Sequence, residues 1–134
     1  MALGDIPLFG MIKDRMHWLT ERQRVLSQNV ANADTPGYAA RDLKKQDFGA
    51  VLNAHGPVLK PVRTNEMHIG PGGATGTKPK SEERPDSETT PTGNSVVLEE
   101  QMIKVAETQV DYEMVTGLYS KSLGLLRTAL GPRS

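Results

Sequence analysis

A chain of 134 residues has room for one small domain but not for two cores of ordinary size. Lysine plus arginine and aspartate plus glutamate each number 16, so the formal charge is zero and the basic field that sequence-independent nucleic-acid binding relies on is missing. One Trp, three Tyr, two Phe and no Cys argue against base-stacking platforms and aromatic-walled ligand pockets, and exclude disulfides, thiolate nucleophiles and Cys-ligated zinc.

Residues 1–12 lack a basic region, a continuous apolar core and a small-residue cleavage site, so no secretory signal is expected there, and no apolar run is long enough to span a bilayer. Residues 1–35 read as an N-terminal helical segment, with the helix itself from about Pro7 to Ala33. Asp5 is placed as its N-cap, with Pro7 in the first turn, where a missing N–H costs little. Phe9, Ile12, Met16, Leu19, Leu26, Val30 and Ala33 fall at alternating steps of three and four, and Gln23 is the one polar residue on the stripe. Pro36 disfavours the α region at Thr35 and ends the helix. Thr35-Pro36-Gly37-Tyr38 then suits a type II turn, with Pro fixing the second position and Gly supplying positive φ at the third.

Glycine and proline crowd the middle, with 8 Gly and 7 Pro between residues 36 and 93. Residues 36–69 are expected to form the turn and a short irregular or β segment, with room for a small hairpin between Val58 and Ile69. Residues 70–92 hold almost no large apolar side chain to offset the entropy of ordering, so a flexible linker is expected. Residues 93–131 form the C-terminal segment, a helix from about Ser95 to Leu130, followed by a tail at 132–134. Its stripe runs Leu98, Met102, Val105, Gln109, Tyr112, Thr116, Tyr119, Leu123, Leu126 and Leu130, a period of 3.5 that favours a coiled coil. Gln23 and Gln109, as lone polar residues on the two stripes, either fix register or are tolerated at a half-exposed seam. Ile103, Val110, Met114, Leu118 and Leu125 lie off that stripe and widen the apolar face beyond what one partner helix hides. Neighbouring copies are the natural cover.

Chemistry finds little foothold. His17, His55 and His68 have no i,i+4 pairing and no carboxylate cluster, so no metal is expected. Gly70-Pro71-Gly72-Gly73 follows no strand and ends in no Gly-Lys-Ser/Thr, so it is read as linker rather than phosphate loop. No catalytic residues and no cofactor are expected. The fold class is mainly α, with two long terminal helices packing as a coiled coil around a Gly/Pro-rich middle.

Asn29, Ala31, Asn32, Thr35, Pro36, Gly37 and Tyr38, closing an amphipathic helix, with Phe48 downstream, resemble the signature of the bacterial flagellar axial proteins, the rod, hook and hook-associated family. The short length, the segment Thr64-Asn65-Glu66-Met67-His68-Ile69, and Gly93 to Met102 followed by Ala106-Glu107-Thr108-Gln109 and Tyr112 resemble the B-type proximal rod branch. The C-type proximal subunit and a non-flagellar cytoplasmic coiled-coil adaptor are the alternatives. What the resemblance implies is a non-enzymatic drive-shaft subunit of the basal body, crossing the periplasm. Export would run through the flagellar type III apparatus, and terminal helices would pack into an inner tube. Its partners would be further copies of itself, other proximal rod subunits, a FliE-type adaptor, the export gate and the MS ring, with neither nucleic acid nor small-molecule substrate. The assembly seam would comprise Phe9, Ile12, Met16, Leu19, Leu26 and Val30 with Leu98, Met102, Val105, Tyr112, Tyr119, Leu123, Leu126 and Leu130. The family's Phe-x-x-x-apolar export element is not matched at Phe9, whose fourth successor is Lys13.

Overall fold

A computed structural model describes residues 6–55 and 78–131. The expectations for Asp5, the hairpin at 58–69, the segment Thr64–Ile69 and residues 70–77 lie outside the described residues. The elements run α1 (Pro7–Ala31), β1 (Arg41–Leu43), α2 (Phe48–His55), β2 (Ser81–Glu83) and α3 (Leu98–Ala129).

Two long helices dominate, and they pair antiparallel. Phe9 meets Tyr119 edge to face with ring centroids 5.5 Å apart, Arg15 reaches Asp111 at 3.4 Å, and Asn29 bonds Gln101 at 2.9 Å. At 1.5 Å per residue α1 spans about 37 Å and α3 about 48 Å, so α3 runs on past the start of α1. The core lies between them, where Trp18, Leu19, Val25 and Leu43 cluster and Val115 packs from α3. Trp18 also donates its indole N–H to Lys44 O at 3.1 Å, which ties the chain after β1 to α1.

β1 and β2 pair antiparallel in the register Arg41 to Glu83 and Leu43 to Ser81. Lys44 N–H to Lys80 O and Arg84 N–H to Ala40 O extend the ladder at either end. The expected flexible linker therefore differs from what 78–92 forms: a strand, then a turn in which Gly93 N–H bonds Thr90 O at 2.8 Å. Apolar content was the wrong criterion for this stretch, because backbone ladders and buried polar side chains hold it. Likewise α2 stands where an irregular or β segment was expected. Asp47 opens it, its carboxylate accepting the Gly49 N–H at 2.9 Å as an N-cap does.

Both long helices are shorter than their stripes suggested. α1 ends at Ala31, because Asn32 turns its amide side chain back onto Gln28 O at 2.8 Å. α3 begins at Leu98 rather than Ser95, because Asn94 and Ser95 serve other partners.

Candidate functional site

Asn29, Asn32, Thr35, Gly37 and Tyr38 of the family signature converge on one polar clasp at the junction of the two helices. Asn29 is fully buried at the end of α1. Its amide nitrogen donates to Arg41 O at 2.6 Å and to Gln101 Oε1 at 2.9 Å, while its oxygen accepts from Arg41 N–H at 3.0 Å and Tyr38 OH at 3.1 Å. Every hydrogen-bonding group of that side chain is thus used. An apolar residue at this position would leave a backbone donor and acceptor of Arg41 without partners.

Gln101 passes the connection on. Its amide donates to Asp86 Oδ2 at 2.7 Å; the same carboxylate accepts Val97 N–H at 2.9 Å and Lys104 Nζ at 2.7 Å. The Asp86 side chain is completely enclosed. Its burial pushes the carboxyl upward, but the bonds from Lys104, Gln101 and Val97, with the charge of Lys104, outweigh this and hold it below the usual carboxylate range. Val97 has no capping side chain of its own, so the acceptor for its N–H comes from another segment of the chain, adding to the charge of Glu99 and Glu100 in the first turn of α3. Ser87 adds a hydrogen bond to Glu100 beside it.

The turn that leaves α1 is fixed from the other side. Tyr38 N–H donates to Thr35 O at 3.3 Å and Gly37 takes φ of 73°, the geometry expected of a type II turn with Gly at the third position. Gly37 N–H donates to Thr92 O at 2.9 Å. Asn94, also buried, donates to Asn32 O at 2.9 Å and Thr35 O at 2.7 Å, a second donor for carbonyls that also accept the Thr35 and Tyr38 N–H groups. A Cβ on Gly93 would lie 3.4 Å from Gly37 Cα, so the two turns meet backbone to backbone. Thr35 Oγ1 bonds Asn32 Oδ1 at 3.2 Å, while Ala31 and Pro36 are exposed. Phe48 is not part of this clasp. It starts α2 and is 69% exposed.

The residues expected on the seam divide in this single chain. Phe9, Ile12, Leu19 and Leu26 are buried, and Met16, Val105, Tyr119, Leu123 and Leu126 are half-buried. Val30, Leu98, Met102, Tyr112 and Leu130 are exposed, Met102 by 68% and Leu130 by 86%. Besides Tyr119, which meets Phe9, the more enclosed line of α3 is Gln101, Thr108, Val115 and Ser122, four residues at seven-residue spacing of which one is apolar. Trp18, Val25 and Asp86 were not read from the sequence, and Asn94 and Gln101 were named only within the segment Gly93 to Met102, with no role of their own. The adjacent pairs Trp18-Leu19 and Val25-Leu26 were the available signal for a broader buried face. Of the two stripe glutamines, Gln109 is exposed, whereas Gln23 Oε1 is enclosed with no hydrogen-bond partner among the described residues.

Ile103, Val110, Met114, Leu118 and Leu125 are each about half exposed or more, so one long side of α3 is apolar and uncovered. Among the described residues no group of three His, Cys, Asp or Glu is placed to hold a metal ion, and no helix is long and apolar enough to cross a membrane. The arrangement is suited to packing against other helices.

Comparison with known proteins points the same way. A sequence profile described as "Flagella basal body rod protein" matches residues 19–38, the end of α1 and its turn. A flagellar basal body rod protein FlgB of Agrobacterium fabrum is 33% identical over 122 residues, 87% of either chain. The FlgB of Aeromonas hydrophila is 30% identical over 136 residues, 98% of either chain. That of Escherichia coli is 28% identical over 109 residues, 76% of this chain and 77% of its own. The chain belongs to the FlgB family of flagellar basal body rod proteins.

Proposed function

We propose that this chain is a structural subunit of the proximal rod of the flagellar basal body, assembling with other rod components through its two terminal helices and carrying out no catalysis. The observation that carries the reading is the uncovered apolar side of α3, set on a helix pair locked at one end by the Asn29–Gln101–Asp86 clasp. A contiguous exposed apolar face of this kind marks an interaction surface. Rigid helices packed side by side transmit torque without moving parts, which is what a drive shaft requires.

The finer elements of the proposal are export by the flagellar type III system and contact at the base with a FliE-type adaptor, the export gate and the MS ring. The exposed seam residues Leu98, Met102, Tyr112 and Leu130 are proposed as contacts to neighbouring subunits, and the buried ones as internal support for them. Family membership and the helix pair support this reading over a cytoplasmic coiled-coil adaptor.

Quantitative mass spectrometry of purified hook–basal bodies, set beside the soluble fraction, is the test. Enrichment of peptides from 98–129 at a few copies per particle is expected. Met102→Asp, at a position too exposed to unfold the chain, should be stable yet missing from the particle. Finding the wild-type chain only in the soluble fraction would overturn the proposal.

A further inference from the structure

Two cavities lie side by side where α1, α2, the β1–β2 pair and the middle of α3 meet, sharing Arg15 and Gln46 as their common wall. The first, of about 280 Å³, is lined by Arg15, Arg22, Lys45 and Arg84 against a single carboxylate, Asp42, with Trp18 between the guanidinium groups. Arg15 sits 4.6 Å and Arg22 5.7 Å from the centre of the indole ring. Arg22 is neutralised by a two-pronged bond to Asp42 at 3.0 and 3.1 Å. Arg15 donates to Gln46 Oε1 at 3.2 Å, but the ion pairs of Arg15 and Arg84 are long, 3.4 Å to Asp111 and 3.5 Å to Glu82, and Lys45 has no ion pair among the described residues. The second cavity, about 350 Å³, is apolar, walled by Met11, Val51, Val115 and Leu118 with the exposed Phe48 at its rim. The surface is therefore a groove with a cationic half and an apolar half.

The complement is present on the same chain. At about 100° per residue, Glu99, Ile103, Glu107, Val110, Glu113 and Met114 fall on the side of α3 turned away from α1. All six are exposed, and the three glutamates pair with no cation among the described residues. The apolar half of the groove reaches onto this side of α3 at Leu118, but its cationic half lies on α1 and the β1–β2 pair, and within one molecule those cations and these glutamates leave each other unpaired.

We propose that the outer face of α3 from a second copy occupies this groove, its glutamates meeting Arg15, Lys45 and Arg84 while Val110 and Met114 enter the apolar half beside Phe48. This deepens the rod-subunit reading by naming which surfaces meet. Because the cations of the groove and the glutamates of α3 are different patches, the contact is head to tail; it does not close on itself and propagates along a filament. The guanidinium forks of Arg15 and Arg84 suit the carboxylates of a helix, whereas an anionic membrane surface is met by larger clusters of lysine and arginine than the three left without a short ion pair here.

Charge exchange in the purified full-length chain tests it. At low ionic strength the wild type should show concentration-dependent association by analytical ultracentrifugation, weakened by added salt. K45E/R84E and, separately, E107K/E113K should each weaken it by about tenfold or more with unchanged circular dichroism. Mixing the two variants should restore association as a heterotypic complex. A wild-type chain that stays monomeric at every concentration, association that ignores both reversals, or a mixture that fails to recover would overturn the proposal. So would binding to vesicles of anionic phospholipid that K45E/R84E abolishes while self-association is absent, since the cationic half would then read lipid phosphate. Rod incorporation of the wild type is scored independently in basal bodies, so loss of this contact alone leaves the rod assignment standing.

Discussion

Replacing Asp86 by alanine strips the clasp of its central acceptor, and the cost follows from what is left behind. Gln101 is fully buried and loses a bond to a charged group, worth about 1.5–3 kcal/mol. The Val97 N–H at the start of α3 loses its acceptor in a half-buried setting, roughly 1 kcal/mol more. Lys104 keeps a quarter of its side chain in water and can turn outward, so its loss is small once screening is counted, under about 1 kcal/mol. Since the three share one carboxylate they do not add fully, and about 3–4 kcal/mol is expected. For a domain of this size that corresponds to a fall of roughly 10–15 °C in Tm. Asp86→Asn, which keeps the shape and one acceptor oxygen, should lose less than half as much. Urea unfolding followed by far-ultraviolet circular dichroism at neutral pH measures both. A loss below about 1 kcal/mol for Asp86→Ala, or equal losses for the two variants, would refute the view that this carboxylate holds α3 to the rest of the chain.

The same group sets a pH dependence. Its native pKa is depressed, so its contribution is fully present above the unfolded value of about 3.9 and is lost as pH falls from there through the native value. Acid unfolding of wild type should therefore steepen below about pH 4, and the Asp86→Asn profile should lack that component. Gly37→Val forces a β-branched residue to φ of 73° and should cost roughly 2–3 kcal/mol although nothing crowds the site; a wild-type melting curve would refute the turn geometry. Gly10→Ala would put a Cβ 2.4 Å from His55 Nδ1, displacing the ring from Asp14, which it meets at 2.6 Å. The gain in helix propensity, about 1 kcal/mol, offsets that exposed contact, so global stability should hardly change while hydrogen exchange in 48–55 accelerates; unchanged exchange would count against the docking of α2. Gln23→Leu removes an enclosed acceptor that has no partner, and a gain of about 1 kcal/mol in urea is expected, with any loss refuting the assignment.

Spacing made the two helices legible, along with the buried residues Phe9, Ile12, Leu19 and Leu26, because a 3.5-residue apolar period has few other uses. The turn at Gly37 was legible for a similar reason, since Pro-Gly restricts the backbone directly. The inner line of α3 was hidden. Gln101 and Thr108 are polar, and apolar periodicity selects the side chains that would avoid water, which on α3 include those left uncovered in the single chain, such as Met102 and Leu98. Asp86, and the role of Asn94 within the segment Gly93 to Met102, were hidden for a different reason. Each acts on backbone groups far away in sequence, and nothing local distinguishes them from the polar residues around them. The clasp that explains Asn29 and Tyr38 could be seen only once α1, β1 and α3 were brought together, although the resemblance had already singled out those two residues.

The antiparallel pairing carries a consequence for the chain as it is made. The residues that cover α1 come late: Gln101 lies 72 positions after Asn29, and Asp111 lies 96 after Arg15. At about 5–20 residues per second of synthesis, the apolar stripe of α1 waits roughly 4–20 s on the ribosome before its partner exists. During that interval Phe9, Ile12, Trp18 and Leu19 have only β1 and α2 to rest against. A short nascent segment that is apolar and cannot fold is a natural client for a holding chaperone. Ribosome profiling with a captured chaperone should place that engagement after α1 emerges and its release after residue 111 does.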